Sequence, residues 1–395
     1  MKTTIKVSGL LTCVGLVGSL ATTASAADRG FQFNNLNISP YVNIQYRYDS
    51  NVDSAHRGEF DDSILTVTPG VDLKYKGNNW GLDGHAFYGY DNYIKYDELD
   101  THRWGERLKL WYDGERWKLV LGESFIYSKE SDSIIDGGRG YWRERDQLQF
   151  TGAFSYDLSE ASRMTVDAAY SQLDYHNDSK RYAPLYGWHE WSAGLEFARR
   201  LTQKTNWVLA GGVQGYESDN ATRNGLKNES YAYDIQGGIS SRATERITYR
   251  LLAGVSWFDY ATDDINTGWI YTANVNWLLS KKWAASFTGS SYYQPSESKA
   301  NQANKIYSLS GGLTYRPYKR VTTTFNLAWR REEDEYKTYQ YDQHIDTLAA
   351  RVRASYQFAR YASVFVWAEY SERFSDNSNC EYDRYILSTG LKLFY

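Results

Sequence analysis

The chain has 395 residues and a formal net charge of −4, and it combines 36 Tyr and 14 Trp with only 5 Pro and 2 Met. So small a net charge argues against a nucleic-acid partner. After residue 26 no apolar run approaches the ~18 residues of a transmembrane helix, which excludes a helical membrane protein. Abundant Tyr and Trp suit the aromatic girdles of a barrel that crosses a membrane with strands.

Residues 1–26 have the pattern of a signal peptide. Lysines near the start precede the apolar segment Val7–Leu20, and the small-x-small cleavage site Ala24–Ala26 follows it. We therefore expect a single mature domain, the barrel, over residues 27–395. An N-terminal membrane anchor is the alternative, but the apolar run is short and is diluted by Gly, Ser and Thr. Cleavage leaves one cysteine, Cys380, and so permits no intramolecular disulfide.

Amphipathic stretches of about ten residues follow one another along the rest of the chain, as expected of strands with one apolar face and one face in contact with water. The clearest examples are Pro40–Tyr48, Ile64–Tyr75, Ile247–Trp257 and Trp269–Trp277. Trp or Tyr at the ends of the apolar face, with aliphatic residues between, is typical of strands that span a bilayer. The face assignment is ambiguous in Tyr361–Tyr370, where Phe365 and Trp367 compete with Val364 and Val366 for the outer face.

The connections alternate between short turns and longer loops. Short turns are predicted near Lys76, Gly114, Ser159, Gln203, Ala243, Ser280, Pro317 and Ala359. Longer loops are predicted near Asp53, Tyr96, Asp132, Asp178, Asn220, Asp263, Ser296, Asp334 and Asn377. These connections predict an all-β fold: a single-chain, antiparallel transmembrane β-barrel of about 18 strands (range about 16–18). Its short turns are expected to be periplasmic and its longer loops extracellular.

Motifs for catalysis are absent from the sequence. Its 6 His are scattered, with no HExxH motif and no Cys/His pair at metal-site spacing. Neither a Walker loop nor a GxSxG motif is present. His85 with Asp83 and Ser124, or His189 with Glu190, have no specific catalytic spacing. We therefore expect no enzymatic activity, no metal and no cofactor.

Basic residues are expected to dominate the inner face of the barrel. The alternation predicts a pore lining of Arg103, Arg107, Lys109, Arg143, Arg145, Arg250, Arg351 and Arg353. The predicted inward acids are Asp72, Asp83, Asp167, Glu190, Glu196 and Asp234, whereas Asp49, Asp53, Asp61 and Asp62 are assigned to loops. A basic channel wall attracts anions. Alternatively, these arginines pair with inward acids and brace the barrel.

The last eight residues, Ser388–Tyr395, form an amphipathic strand that stops on an aromatic residue. This ending resembles the C-terminal sorting signal read by the barrel-insertion machinery of Gram-negative bacteria, with Gly390, Leu393, Phe394 and Tyr395 as its assembly signal. The resemblance implies a place in the outer membrane, among outer-membrane lipid and lipopolysaccharide. An edge strand of a soluble sandwich is the alternative.

The N-terminal segment resembles the beta-barrel porin 2 family of outer-membrane proteins. The shared segments are Ser39–Tyr41, Tyr48–Val52, Asp61–Asp62 and Leu65–Gly70, within roughly the first quarter of the chain. Members of that family are often encoded with exopolysaccharide or capsule export genes. The resemblance therefore implies an exit channel for a polysaccharide, delivered by a periplasmic polysaccharide-export protein. It carries over no catalytic residue.

Three functions follow from these observations. The family resemblance favours an exit channel for a secreted exopolysaccharide, such as a biofilm matrix polymer. A general or anion-preferring small-solute diffusion porin is the second hypothesis, and a structural or adhesive barrel without an open pore is the third. A diffusion porin usually folds one long loop into its pore, and no predicted loop here is much longer than the others.

Overall fold

The computed structural model describes residues 30–54, 59–132, 141–176, 187–221, 227–260, 265–295, 303–334, 344–376 and 381–395. The predicted signal peptide, residues 1–26, and Cys380 lie outside the described residues. The strands are β1 (Phe31–Phe33), β2 (Leu36–Asp49), β3 (Asp62–Lys76), β4 (Trp80–Tyr93), β5 (Thr101–Asp113), β6 (Trp117–Asp132), β7 (Tyr141–Ser159), β8 (Ser162–His176), β9 (Trp188–Arg200), β10 (Thr205–Ala221), β11 (Lys227–Ser241), β12 (Ile247–Tyr260), β13 (Ile265–Trp277), β14 (Trp283–Pro295), β15 (Ala303–Tyr315), β16 (Val321–Asp334), β17 (His344–Ala359), β18 (Ala362–Ser375) and β19 (Tyr382–Phe394).

Strands β2 to β19 pair antiparallel in sequence order, and β19 pairs with β2 from Ile386↔Asp49 to Phe394↔Tyr41. This last pairing closes an 18-strand barrel, so each described strand from β2 to β19 pairs with a neighbour on both sides, although the β13–β14 ladder covers only Tyr271↔Ser291 to Trp277↔Ala285. Closure gives backbone N–H and C=O groups partners within the sheet, the condition for crossing a bilayer with strands. The predicted all-β antiparallel barrel is therefore confirmed, with the higher of the predicted strand counts. Among the described residues, no helix is long and apolar enough to span a membrane.

The predicted turns and loops lie between the expected strands. In two of the short turns the N–H of a glycine donates to the carbonyl oxygen of a tryptophan at 2.8 Å, Gly77 to Trp80 and Gly114 to Trp117. The longer connections lie at the opposite end, where the first one after β4 contains a 3-10 turn at Asp97–Leu99. Tight hydrogen-bonded turns on one rim and long loops on the other give the barrel two chemically different mouths.

The outer face of the wall is an apolar band. Residues that pair directly across an antiparallel ladder point to the same side, so the register carries the face assignment around the ring. Large apolar side chains exposed on this face include Ile44, Leu65, Leu121, Leu195, Leu209, Leu251, Phe287, Leu327, Val366 and Leu387. Aromatic rings border the band: Trp283 and Tyr315 stack at the short-turn end with centroids 4.1 Å apart, and Trp269 is 76% exposed towards the other end. The band matches a bilayer core between two girdles.

Barrel closure determines which face of β18 points outward, a point that the sequence pattern leaves open. Val364 pairs with Leu391, and Leu391 pairs with the outward Ile44 of β2. Val364 and Val366 therefore face outward, and Phe365 and Trp367 face the lumen.

The four residues of the predicted assembly signal lie on β19 and just beyond it. Leu393 faces outward beside Val42, and Phe394 pairs with the inward Tyr41. Gly390 faces the lumen, where a Cβ atom would lie 2.3 Å from the Phe365 ring. The N–H of Tyr395 donates to the carbonyl oxygen of Pro40 at 3.0 Å. Recognition of this segment by the insertion machinery remains a prediction.

A short strand that the alternating pattern does not predict precedes the barrel. Strand β1 folds back on the start of β2, and Phe31 pairs with Ile38. The reversal passes through Asn34, whose φ of 52° lies in the left-handed region that asparagine tolerates. Phe31 stacks on Tyr395 with ring centroids 4.7 Å apart, so β1 covers the aromatic end of β19. Three residues are too few for an alternating pattern to show.

Candidate channel wall

Strand β5 carries three of the predicted pore-lining cations. Arg103, Arg107 and Lys109 alternate along it with Trp104 and Leu108, whose side chains are exposed on the outer band. The alternation therefore places the three cations on the lumen side. Within the described part of the chain, none of the three has a carboxylate oxygen within 4.0 Å. Strand β5 thus contributes three lumen cations that form no ion pair within the described part of the chain, although Asp83 of β4 is the register partner of Lys109.

Two further predicted cations lie on β7. The Nε of Arg145 donates to the Ser128 hydroxyl at 3.3 Å across the β6–β7 ladder. The backbone of Arg143 pairs with Glu130 of β6, and its side chain lies outside the described residues.

Arg250 of β12 is held by an acid. Its guanidinium donates to both carboxylate oxygens of Glu196, with N–O distances of 3.2 Å and 2.5 Å. Glu196 is on β9, so this forked contact passes over the inner surface of β10 and β11. Arg250 and Glu196 therefore brace the barrel wall, and Arg250 is not an unpaired cation of the channel.

Strand β17 contains one paired and one unpaired arginine. Arg351 forms an ion pair with Glu369 of β18, and its Cζ atom also lies 5.0 Å from the centre of the Trp367 ring. The Cζ atom of Arg353 lies 4.5 Å from the centre of the Phe365 ring. Among the described residues, Arg353 makes no ion pair. An aromatic face holds a cation without cancelling its charge.

The lumen contains more acids than the alternating pattern predicts. Asp49 and Asp62, both assigned to a loop, lie at the paired ends of β2 and β3, face inward and are fully buried. That assignment was wrong because both strands extend further than their alternating patterns show. Asp49 pairs with Arg384 of β19, and Asp91 accepts a hydrogen bond from Thr66 at 2.5 Å.

The first long loop turns into the extracellular mouth. Val52 is 5% exposed and packs against Ile64 and Tyr93, which face the lumen on β3 and β4. The side-chain amide of Asn51 donates to the carbonyl oxygen of Asp383 at 3.1 Å, which ties the loop to β19. The mouth is therefore narrowed on the side where the first and last strands meet.

An exposed ion pair links the first two long loops just outside the wall. The Nζ of Lys95 lies 2.7 Å from a carboxylate oxygen of Asp61. This hydrogen bond lowers the pKa of the Asp61 carboxyl and raises the pKa of the Lys95 ammonium.

The side chains considered for catalysis do not come together as a site. His85 contacts Asp72 at 2.8 Å, rather than Asp83 or Ser124. His189 contacts Glu217 at 3.0 Å on the outer face. Within the described ranges, no group of three or more His, Cys, Asp or Glu side chains is placed to hold a metal ion.

Comparison with known proteins gives the fold. No family model matches this sequence, and no curated protein matches it. Among solved structures, a single-site mutant of the ferric enterobactin receptor PfeA of Pseudomonas aeruginosa is similar, with a TM-score of 0.51, 6% identity and coverage of 91% of this chain and 80% of that one. The FrpB iron transporter of Neisseria meningitidis has a TM-score of 0.46 and 12% identity. The alignment covers 85% of this chain and 63% of FrpB, so the chain spans less than two thirds of that protein.

At these identities the likeness concerns the barrel architecture alone. The location follows from the wall itself, because a closed antiparallel barrel with an apolar outer band and a polar, charged interior is stable only across a bilayer. The chain is an 18-strand β-barrel of the bacterial outer membrane.

Proposed function

We propose that this barrel is the exit channel through which a secreted exopolysaccharide crosses the outer membrane, by passive passage and without catalysis. The observation that carries the proposal is the inner wall, where basic side chains such as Arg103, Arg107 and Arg353 face the lumen without an acid partner among the described residues. Weak contacts spread along a wet wall suit a polymer that must keep moving. The N-terminal resemblance to the beta-barrel porin 2 family supports the same reading. A periplasmic export protein is the partner that this function requires.

The experiment is a clean deletion in a host with no second barrel of this kind. Extracellular polysaccharide is measured in the deletion strain, in a strain complemented with the wild-type gene, and in one complemented with a multiple Arg→Glu variant of the inner wall. We expect the deletion to abolish surface polysaccharide and the wild-type gene to restore it. Normal secretion by the deletion strain would contradict the proposal.

One observation favours a second candidate, an anion-preferring diffusion porin for small solutes. The first long loop folds into the mouth through Val52, and a pore-narrowing loop is the usual device of such porins. Reversal potentials in a KCl gradient across a planar bilayer test this candidate. Clear anion preference together with normal polysaccharide secretion in the deletion strain would favour it over export. The iron-related names of the similar structures supply no substrate for this chain, because identities of 6% and 12% speak to the fold alone.

A further inference from the structure

The two sides of the lumen carry opposite charge. Strands β17, β18, β19 and β2 bring Arg353, Arg373, Lys392 and Arg47 to the inner face. Strands β8 and β11 bring Asp167 and Asp234 to it. In the closed ring of 18 strands, β8 lies nine strands from β17, and β11 lies nine strands from β2. The cations and these carboxylates therefore face one another across the lumen.

Three of these four cations, Arg353, Arg373 and Lys392, lie over aromatic rings. The Cζ of Arg353 lies 4.5 Å from the Phe365 ring centre, and the Cζ of Arg373 lies 4.8 Å from the Tyr382 ring centre. The Nζ of Lys392 lies 4.1 Å from the Tyr41 ring centre and 5.2 Å from that of Phe394. These three couples form a row that we call the ring-backed track. Arg351 lies beside it, 5.0 Å from the Trp367 ring centre, but its charge is paired with Glu369.

The track follows the length of the wall. Measured along β18, Lys392 is level with Ser363, Arg353 is level with Trp367, and Arg373 lies on β18 itself. From residue 363 to residue 373 a strand advances about 33 Å along its own axis, or about 25 Å along the barrel axis at the usual strand tilt of about 40°, which is comparable with the height of the apolar band of such barrels. Cations thus recur from the periplasmic rim to the extracellular part of the wall.

Ring backing and acid pairing have different consequences for a ligand. Glu196 fixes Arg250 and also cancels its charge. Phe365, only 6% exposed beneath the exposed Arg353, restricts the side chain but leaves the guanidinium positive and open to the lumen. A restrained cation loses less conformational freedom when an anion binds. The arrangement suits repeated, weak contacts with a chain of anions.

We infer that the ring-backed track is a binding site for a linear polyanion, and that the exported polymer is an acidic polysaccharide with carboxylate or sulfate groups. This inference rests on the proposed function and adds the charge class of its substrate. Asp167 and Asp234 repel the same polymer from the opposite side, so it travels along β17 to β19 and β2 rather than down the centre. Because each contact between a cation and the polymer is independent of the others and partly exposed to water, no single cation holds the polymer in place.

The test uses the purified full-length barrel in a planar bilayer, with oligogalacturonate added from the periplasmic side as the carboxylated probe. A malto-oligosaccharide of equal length is the neutral probe. We expect oligogalacturonate to interrupt the current with a measurable residence time, and this time should shorten as salt rises. The neutral probe should give markedly shorter interruptions.

Variants locate the interaction. Arg353→Gln combined with Arg373→Gln should shorten the oligogalacturonate residence time about five-fold, and either change alone should have a smaller effect. Phe365→Leu keeps the charge of Arg353 but removes its ring, and should shorten the residence time about two-fold with little change in small-ion selectivity. The matched control is Arg116→Gln, since Arg116 is also ring-backed, with Cζ 5.3 Å from the Tyr156 ring centre, but lies in a periplasmic turn. It should leave the residence time unchanged.

Three results overturn the inference: equal residence times for the two probes, no effect of the Arg353 and Arg373 variants, or an equal effect of Arg116→Gln. Each of these leaves the export proposal standing but removes the ring-backed track as the polymer site, and equal residence times also remove the acidic charge class of the polymer. Normal secretion by the deletion strain overturns the export proposal instead, whatever the bilayer recordings show.

Discussion

Arg384 of the last strand forms an ion pair with the fully buried Asp49 at the end of the first barrel strand. The Nε of Arg384 lies 2.8 Å from one carboxylate oxygen, and a second guanidinium nitrogen contacts the other. Asp49 also accepts a hydrogen bond from the backbone N–H of Asn51 at 3.3 Å. One carboxylate thus connects the barrel seam to the loop that narrows the mouth.

We predict that Asp49→Ala destabilises the barrel by about 3 kcal/mol, because it leaves the Arg384 guanidinium largely buried without its partner. Urea unfolding of the reconstituted barrel measures the loss. The double variant Asp49→Leu with Arg384→Met removes both charges and should recover most of it. A single variant as stable as the wild type would show that water, rather than Asp49, supports Arg384.

The Gly390 position should not tolerate a methyl group. A Cβ atom there would lie 2.3 Å from the Phe365 ring and 2.7 Å from the carbonyl oxygen of Ile44, and that backbone atom cannot move aside. We predict that Gly390→Ala costs about 1–3 kcal/mol, as overpacking does. Gly311→Ala is the control, since a Cβ atom at Gly311 meets nothing within 4 Å. Equal stability of the two variants would contradict this account of the terminal segment.

The loop contact between Asp61 and Lys95 should depend on pH at both ends of the scale. Lys95 lowers the pKa of Asp61 from the ordinary 3.8, so the contact is complete above that value and is lost as pH falls through the lowered pKa. The pKa of Lys95 is raised from 10.5, so the contact is lost again as pH rises through the raised value.

Carboxyl NMR of the reconstituted protein measures the titration of Asp61 directly. Lys95→Gln should return the pKa of Asp61 towards 3.8, and Lys95→Arg should keep it low. An unchanged value in the Gln variant would show that Lys95 is not the cause.

Sequence alone gave the strand number and the order of turns and loops, because alternation and turn chemistry are local properties. It did not give the pairing of Arg250 with Glu196, since these residues are 54 positions apart and meet only once the register of four strands is set. The sequence pattern also does not define where the strands end. The faces of Asp49 and Asp62 depend on where β2 and β3 stop, and no alternating pattern continues past them to show it.

The sequence pattern also does not decide whether Phe365 and Trp367 face the lipid or the lumen, for a different reason. Both faces of β18 are apolar near its periplasmic end, so hydrophobicity does not distinguish them. The decision comes from closure, because Leu391 must lie beside Ile44. The lumen-facing rings that result are the ones that hold Arg353 and Arg351, so the candidate track was hidden by the same ambiguity.

Glu123 is a carboxylate on the outer face of the wall. It pairs with Leu108 of β5 and Phe150 of β7, both outward, and it lies in a groove whose apolar lining includes Leu121 and Gly152. Along β6 it stands between the outward Trp117 and Tyr127, which places it near the middle of the apolar band.

We predict that Glu123→Leu stabilises the barrel by about 1–2 kcal/mol, because an acidic side chain facing lipid near the bilayer midplane is unfavourable. Urea unfolding in phospholipid vesicles, followed by tryptophan fluorescence, measures the change. Leu121→Glu, which adds a carboxylate at the next position along the same face, is the matched control and should destabilise by a similar amount.

If Glu123→Leu instead lowers stability, the carboxylate has a cationic or hydrogen-bonding partner in the membrane. Repeating the measurement in vesicles of a neutral lipid then identifies the source, because a partner contributed by a charged lipid disappears there and one contributed by a second protein chain does not.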